Sequence, residues 1–130
     1  MLSSKPVGLF ISGGRRSCLA LLEQLPGSDA PESSEAFFEL DLKDLIQRDI
    51  YWGTFEPNET RLVQEYLRPS MTFLDVGANL GYYTALAASL VGRRGRVIAF
   101  EPSPYAFEKL HAMVVNNKLE QSDGSAGRAE

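Results

Sequence analysis

Two acids and two glycines stand at spacings that chemistry can use. Asp75 precedes Gly77 by two residues, Gly81 follows Gly77 by four, and Glu101 lies twenty-four positions after Gly77. An acid at about that distance after a glycine turn accepts hydrogen bonds from ribose hydroxyls, whatever adenosine ligand carries them. The turn is not the dinucleotide one. Gly77-Ala78-Asn79-Leu80-Gly81 spaces its glycines by four, whereas GxGxxG needs them at the first, third and sixth positions, so NAD is disfavoured. Metal chemistry has no support either, since one histidine and one cysteine give no zinc spacing. No residue declares itself as a catalytic base. His111, alone on an apolar helix stripe, reads as a packing or surface residue.

The elements that must hold these residues run from Phe73 to Glu101, FLDVGANLGYYTALAASLVGRRGRVIAFE. Thr72 to Val76 is a run of β-formers without polar alternation, which predicts a central parallel strand covered by helices on both faces. Gly77 then supplies torsions that a Cβ resists, and Gly81 permits close approach of the next helix or of a ligand. Tyr82 to Val91, slim with Ala85, Ala87 and Ala88 and ended by Gly92, predicts a helix lying against the sheet. Arg96 to Phe100 predicts the second parallel strand, joined by a right-handed crossover. Asp75 and Glu101 thus fall at the carboxyl ends of two strands, where open α/β sheets bind ligands.

Ser103 and Pro104 predict the N-cap and first position of a following helix, with Phe107, Leu110, His111 and Val114 on one stripe and Asn116 and Asn117 closing it. Upstream, Ala36 to Leu42 reads as a strand and Lys43 to Ile50 as one or two helical turns with Leu45, Ile46 and Ile50 inward. Tyr51, Trp52 and Phe55 cluster around Gly53 as core aromatics. Asn58 is the expected N-cap of a helix to Leu67, with Leu62, Val63, Tyr66 and Leu67 on one face and Pro69 as its stop.

The string D-V-G-A-N-x-G-Y-Y-T from Asp75 to Thr84, followed by V-I-A-F-E-P-S-P from Val97 to Pro104, resembles the S-adenosylmethionine (SAM) site of class I methyltransferases, specifically the FkbM-type family. LDLKDLIQRDIYWGTFEP, Leu40 to Pro57, is similar to the segment preceding that site, so the resemblance covers about Phe38 to Asn117. It implies a partial Rossmann-like α/β fold of which the chain carries the first two parallel strands and flanking helices, apparently truncated. It implies further that Asp75, Gly77, Ala78, Asn79 and Gly81, with Tyr82, surround the methionine and ribose portions of SAM, and that Glu101 fixes the ribose. Thr54, Phe55 and Glu56 would fold over the methionine end. Taken singly, the glycines equally suit a ligand-free turn and the acids local helix capping; as a spaced set they point to SAM. The implied reaction is O-methylation of a small molecule or sugar. The alternatives are a non-catalytic SAM-binding remnant and a nicotinamide-dependent oxidoreductase fragment.

The chain has 130 residues and a net charge of −4 with its basic residues dispersed, which offers no footprint for nucleic acid or an acidic membrane surface. Its single cysteine, Cys18, fits a reducing, cytoplasmic compartment. The expected organisation is a poorly structured segment and linker over 1–35, the SAM-binding half of a methyltransferase domain over 36–119, and a disordered tail over 120–130. Within the first segment, Val7 to Ile11, the loop Ser12 to Ser17 and CLALLEQL from Cys18 read as strand, loop and helix. The loop's SGGxxS is similar to a pyrophosphatase phosphate loop, but Arg16 stands where that family has an aspartate. A two-stranded sheet leaves both outer edges unpaired, which predicts self-association and marginal stability.

Overall fold

The computed structural model describes residues 18–21 and 35–119; the expectations for Val7 to Ser17 and for the tail lie outside them. The elements run β1 (Cys18–Leu21), β2 (Glu35–Phe38), α1 (Leu45–Trp52), α2 (Pro57–Tyr66), β3 (Thr72–Val76), α3 (Tyr82–Val91), β4 (Arg96–Phe100) and α4 (Pro104–Asn116). β3 and β4 pair in parallel, Thr72 with Arg96 through Val76 with Phe100. This is the α/β pairing expected of a partial Rossmann-like methyltransferase fold. β1 and β2 form a separate antiparallel pair, Cys18 opposite Phe38 and Leu21 opposite Glu35. Cys18–Leu21, expected to begin a helix, is therefore strand. A four-residue apolar run carries no periodicity to separate the two, and pairing with β2 decides it.

The expected two-sided burial of β3 does not occur. Asp75 turns toward α3 and is 8% exposed, while Leu74 and Val76 turn the other way and are 58% and 80% exposed. The register places Leu74, Val76, Ile98 and Phe100 on one face, and no described helix covers it. The core lies instead around the loop between β3 and α3. Ala78 and Leu80 of that loop pack with Ala85 of α3, Leu110 and Met113 of α4, and Phe38, Leu40 and Ile50 from the upstream segment. The loop is thus anchored through its own apolar side chains, which fixes the backbone that any ligand would meet.

Helix ends follow local chemistry, with two corrections. Ser103 caps α4, its Oγ accepting from the Ala106 amide at 3.4 Å, with Pro104 in the first turn. Gly92 ends α3 at φ 65°. α1 is capped by Asp44, whose Oδ1 accepts from the Gln47 amide at 2.9 Å. This phase buries Gln47 and Ile50 and leaves Leu45 and Ile46, expected inward, exposed. Asn58 does not cap α2. The helix starts two residues earlier than that cap implies, with Pro57 in its first turn and Glu56 at the cap position. Proline's fixed φ suits a first helical turn, where its missing N–H costs nothing. Of the face expected to pack, Leu62 and Tyr66 are exposed. Trp52 is exposed too and only edges Tyr51, at 4.8 Å between ring centroids. Phe55 leaves that cluster and meets Tyr82 at 5.1 Å.

Candidate functional site

The backbone that leaves β3 is tied to the end of β4 before it enters α3. The amides of Gly77 and Ala78 both donate to the Phe100 carbonyl, at 2.8 and 3.0 Å. The Asn79 amide donates to Glu101 Oε2 at 2.8 Å, and the Gly81 amide closes the turn on the Ala78 carbonyl at 2.8 Å. Three left-handed residues, Gly77 at φ 80°, Asn79 at φ 52° and Gly81 at φ 95°, make the reversal possible. Asparagine tolerates that region better than most side chains. A Cβ on Gly77 would meet nothing within 4 Å, whereas one on Gly81 would strike the Met113 and Leu110 side chains. The close approach at Gly81 is thus that of α4.

The two acids at the strand ends have different occupations. Asp75 is buried, and its Oδ2 accepts from the Thr84 hydroxyl at 2.6 Å. The Thr84 backbone amide also reaches its carboxylate. Asp75 therefore satisfies the first turn of α3, whose own cap residue, Gly81, has no side chain to do so. Burial raises the Asp75 pKa; the Thr84 bonds oppose the shift, and the nearby Glu101 charge adds to it. Glu101 is half-buried and bridges two loops, with Oε2 held by the Asn79 amide and Oε1 by the Ser103 amide, each at 2.8 Å. A carboxylate has about four lone-pair sites, so roughly half of its accepting capacity is unspent.

Glu56 and Tyr82 stand at the start of α3. Glu56 has φ 39° and ψ 62°, and its Oε2 accepts from the Tyr83 hydroxyl at 2.8 Å. Tyr82 lies edge-on to both Phe55 and Tyr83, at 5.1 Å in each case, and its hydroxyl is 3.2 Å from that of Thr60. Burial raises the Tyr82 pKa; burial, followed by donation to Glu56, raises that of Tyr83 more. Both hydroxyls therefore keep their protons at neutral pH.

The structure thus gathers Gly77, Ala78, Asn79, Gly81 and Glu101 into one hydrogen-bonded unit, places Asp75 beneath it, and sets Glu56 and Tyr82 beside the helix it leads into. Sequence reasoning gave no role to Thr84, Tyr83 or the Ser103 amide. Thr84 had a readable signal, because a hydroxyl in the first turn of a helix after a glycine cap invites an acceptor from the preceding strand. A separate cleft of about 730 Å³ opens between residues 38–43 and α4. None of Glu56, Asp75 and Glu101 lines it, and of the loop it touches Leu80 alone. The strand-end unit, which carries the polar groups, is the candidate site. Among the described residues no cluster of metal-ligating side chains forms, and no helix is long and apolar enough to cross a membrane.

The family model for protein-L-isoaspartate(D-aspartate) O-methyltransferase matches residues 55–130. A ribosomal RNA large subunit methyltransferase E from Acidithiobacillus ferrooxidans is 36% identical over 76 residues, covering 54% of this chain and 35% of that protein. Protein-L-isoaspartate O-methyltransferase 1 from Arabidopsis thaliana is 46% identical over 44 residues, 34% of this chain and 19% of the relative. Its counterpart from Triticum aestivum is 46% identical over 43 residues, 33% and 19% respectively. The chain spans between about a fifth and a third of the length of these relatives. No solved structure matches. The matches favour methyl transfer over the nicotinamide alternative. With its parallel β3–β4 pair and glycine loop between them, the chain belongs to the protein-L-isoaspartate(D-aspartate) O-methyltransferase family of class I methyltransferases, whose members use S-adenosylmethionine.

Proposed function

We propose that the strand-end unit binds SAM and that Glu101 accepts the ribose hydroxyls. The observation that carries this reading is the Glu101 carboxylate, held between the Asn79 and Ser103 amides with accepting capacity to spare. Such a group is already oriented, so two hydroxyl donors find it without reorganisation. Asn79 and Gly77 line the same turn and are exposed, and Ala78 anchors it, with its methyl in the core and its amide and carbonyl bonded to Phe100 and Gly81. Gly81 and Asp75 support from beneath: Gly81 admits α4, and Asp75 ties β3 to α3 through Thr84. Glu56 and Tyr82 flank the amino-acid end of the ligand.

When bound, SAM supplies a methyl group already activated by its sulfonium, so alignment of the two partners is the protein's main task. The FkbM-type strings quoted above support oxygen on a small molecule or sugar as the acceptor, and the acidic net charge of −4 speaks against a polyanion. A second reading, a polymer acceptor, draws on relatives named for ribosomal RNA and for protein L-isoaspartate. A third is SAM binding without turnover. The lone cysteine supports a reducing, cytoplasmic setting.

Calorimetric titration with SAM, its demethylated product and NAD tests the ligand; NAD binding in place of the other two would sink the proposal. Charge-assisted hydrogen bonds contribute about 1.5–3 kcal/mol, so Glu101→Ala is expected to weaken SAM binding about tenfold or more. A folded Glu101→Ala chain that binds SAM as tightly as its parent would refute the ribose role. Transfer of labelled methyl to sugars, RNA or protein then discriminates the acceptors.

A further inference from the structure

The sequence spreads its basic residues along the chain, yet the fold brings four arginines to one pole. Arg68 lies 25 residues before Arg93, in a turn closed by the Met71 amide on the Arg68 carbonyl at 3.2 Å. Arg93 and Arg94 occupy the middle of a second turn, closed by the Gly95 amide on the Gly92 carbonyl at 3.1 Å, and Arg96 opens β4. The two turns are stapled together. The Ser70 amide donates to the Val91 carbonyl at 2.8 Å, and the Arg96 amide to that of Met71 at 3.0 Å. Gly95 makes the approach possible, since a Cβ there would strike Val91 and lie 2.8 Å from the Met71 carbonyl oxygen. All four arginines are exposed, and none has an ion-pair partner among the described residues. Arg68 gives an N–H to the Leu67 carbonyl at 3.1 Å, which leaves most of its donors unspent.

The acidic balance of the whole chain does not cancel this charge. Neither turn contains an acid; Glu65 is nearest in sequence, three residues before Arg68, and one carboxylate does not offset four guanidiniums. Glu101 follows the far end of β4, about 13 Å along the strand, which exceeds the Debye length of about 8 Å at physiological salt. Beside the Arg68 turn stands Tyr66, the last residue of α2, 72% exposed. Planar guanidiniums bind phosphate in bidentate pairs, and an exposed aromatic ring stacks a base. We propose that this pole docks a single-stranded nucleic acid, its phosphates on Arg68, Arg93, Arg94 and Arg96 and a base on Tyr66, at the end of the sheet away from Glu101. Contacts to phosphates and to a ring face make the binding tolerant of sequence. Carboxylates of an acidic peptide would meet the guanidiniums but leave the Tyr66 ring unused. The surface is separate from the strand-end unit and holds whether or not that unit binds SAM.

Fluorescence anisotropy of a labelled oligouridylate with the full chain tests this. Log affinity against log salt is expected to fall with a slope of about −3, from about −0.7 for each of four phosphates. Arg93→Ala with Arg94→Ala should bring the slope to about −1.4, and so should Arg68→Ala with Arg96→Ala. Lys43→Ala with Arg48→Ala removes as much charge from exposed positions elsewhere and should leave slope and affinity unchanged. Tyr66→Leu should weaken binding about fivefold or more with the slope intact. Absence of binding by the parent, equal losses from the pole and control pairs, or poly-L-glutamate binding as tightly as the oligonucleotide overturns the proposal.

Discussion

Gly81 is where the loop, the helix and the core meet, and replacing it separates two costs that are usually confounded. At φ 95° any L-residue is strained by about 1–2 kcal/mol. A Cβ there would overlap Met113 Cε and lie 2.7 Å from Leu110 Cδ1, an overpacking worth about 1–3 kcal/mol. Both atoms end flexible side chains, and methionine adapts readily, so the lower half of that range applies. Gly81→Ala should therefore cost about 2–4 kcal/mol. Gly77→Ala is the internal control, since its φ of 80° carries the strain but nothing lies within 4 Å of the added methyl. It should cost about 1–2 kcal/mol, and the gain from stiffening the unfolded chain is common to both and cancels. Urea unfolding at unchanged slope gives the difference. Introducing Met113→Val removes the clashing methyl, so the cost of Gly81→Ala should shrink by about 1 kcal/mol in that background. Equal losses at the two glycines, or a Gly81→Ala cost indifferent to Met113→Val, would refute the packing argument.

The buried Asp75 carboxyl makes a pH prediction of unusual sign. Its folded pKa is raised above 3.8, chiefly by burial, so the folded chain holds this proton more tightly than the unfolded one. Its contribution to stability is then full below 3.8 and lost as pH rises through the folded value. The stability difference between parent and Asp75→Asn, followed by urea unfolding from about pH 3 to about pH 7, should fall with pH and then level; a rise would contradict the assignment. Thr84→Val deletes the 2.6 Å donor to that carboxylate and should cost about 1–3 kcal/mol at neutral pH, less at acid pH, measured the same way. Val76→Lys places a charge on the bare sheet face, where Val76 is 80% exposed. It should leave stability within about 0.5 kcal/mol while reducing self-association in sedimentation velocity, and an unchanged sedimentation profile would remove this face from any self-contact.

The β3–loop–α3–β4 segment was legible because each boundary has a local cause: β-formers without polar alternation, glycines where φ is positive, a run of alanines, and Gly92 as a stop. Ser103 and Pro104 were legible for the same reason. What could not be read is what depends on neighbours. The one-sided burial of β3 turns on which elements cover the sheet, and a continuous apolar run looks alike whether one face is covered or two. The phase of α1 turns on Gln47, whose Oε1 accepts from the Asp41 amide at 2.8 Å. That bond lets a polar side chain displace Leu45 and Ile46 from the interior. CLAL became strand only because Glu35–Phe38 lies beside it.

The site shows the same division more sharply. Sequence spacing put two acids at two strand ends and treated them alike, as ligand-facing groups or as local caps. In the fold burial separates them. Asp75 points inward, and its hydrogen bonds to Thr84 complete a helix that starts on a glycine and so brings no cap of its own. Glu101 is held by two amides from two different loops, those of Asn79 and Ser103, yet it stays half-exposed. Its clamps fix its direction without exhausting it. The glycine loop that makes the reversal possible thereby creates a demand, an uncapped helix, that Asp75 meets, and presents an amide, that of Asn79, which aims Glu101. Under the proposed reading, a ligand donating to that carboxylate would find these folding interactions already satisfied, so that its own hydrogen bonds add to them instead of competing.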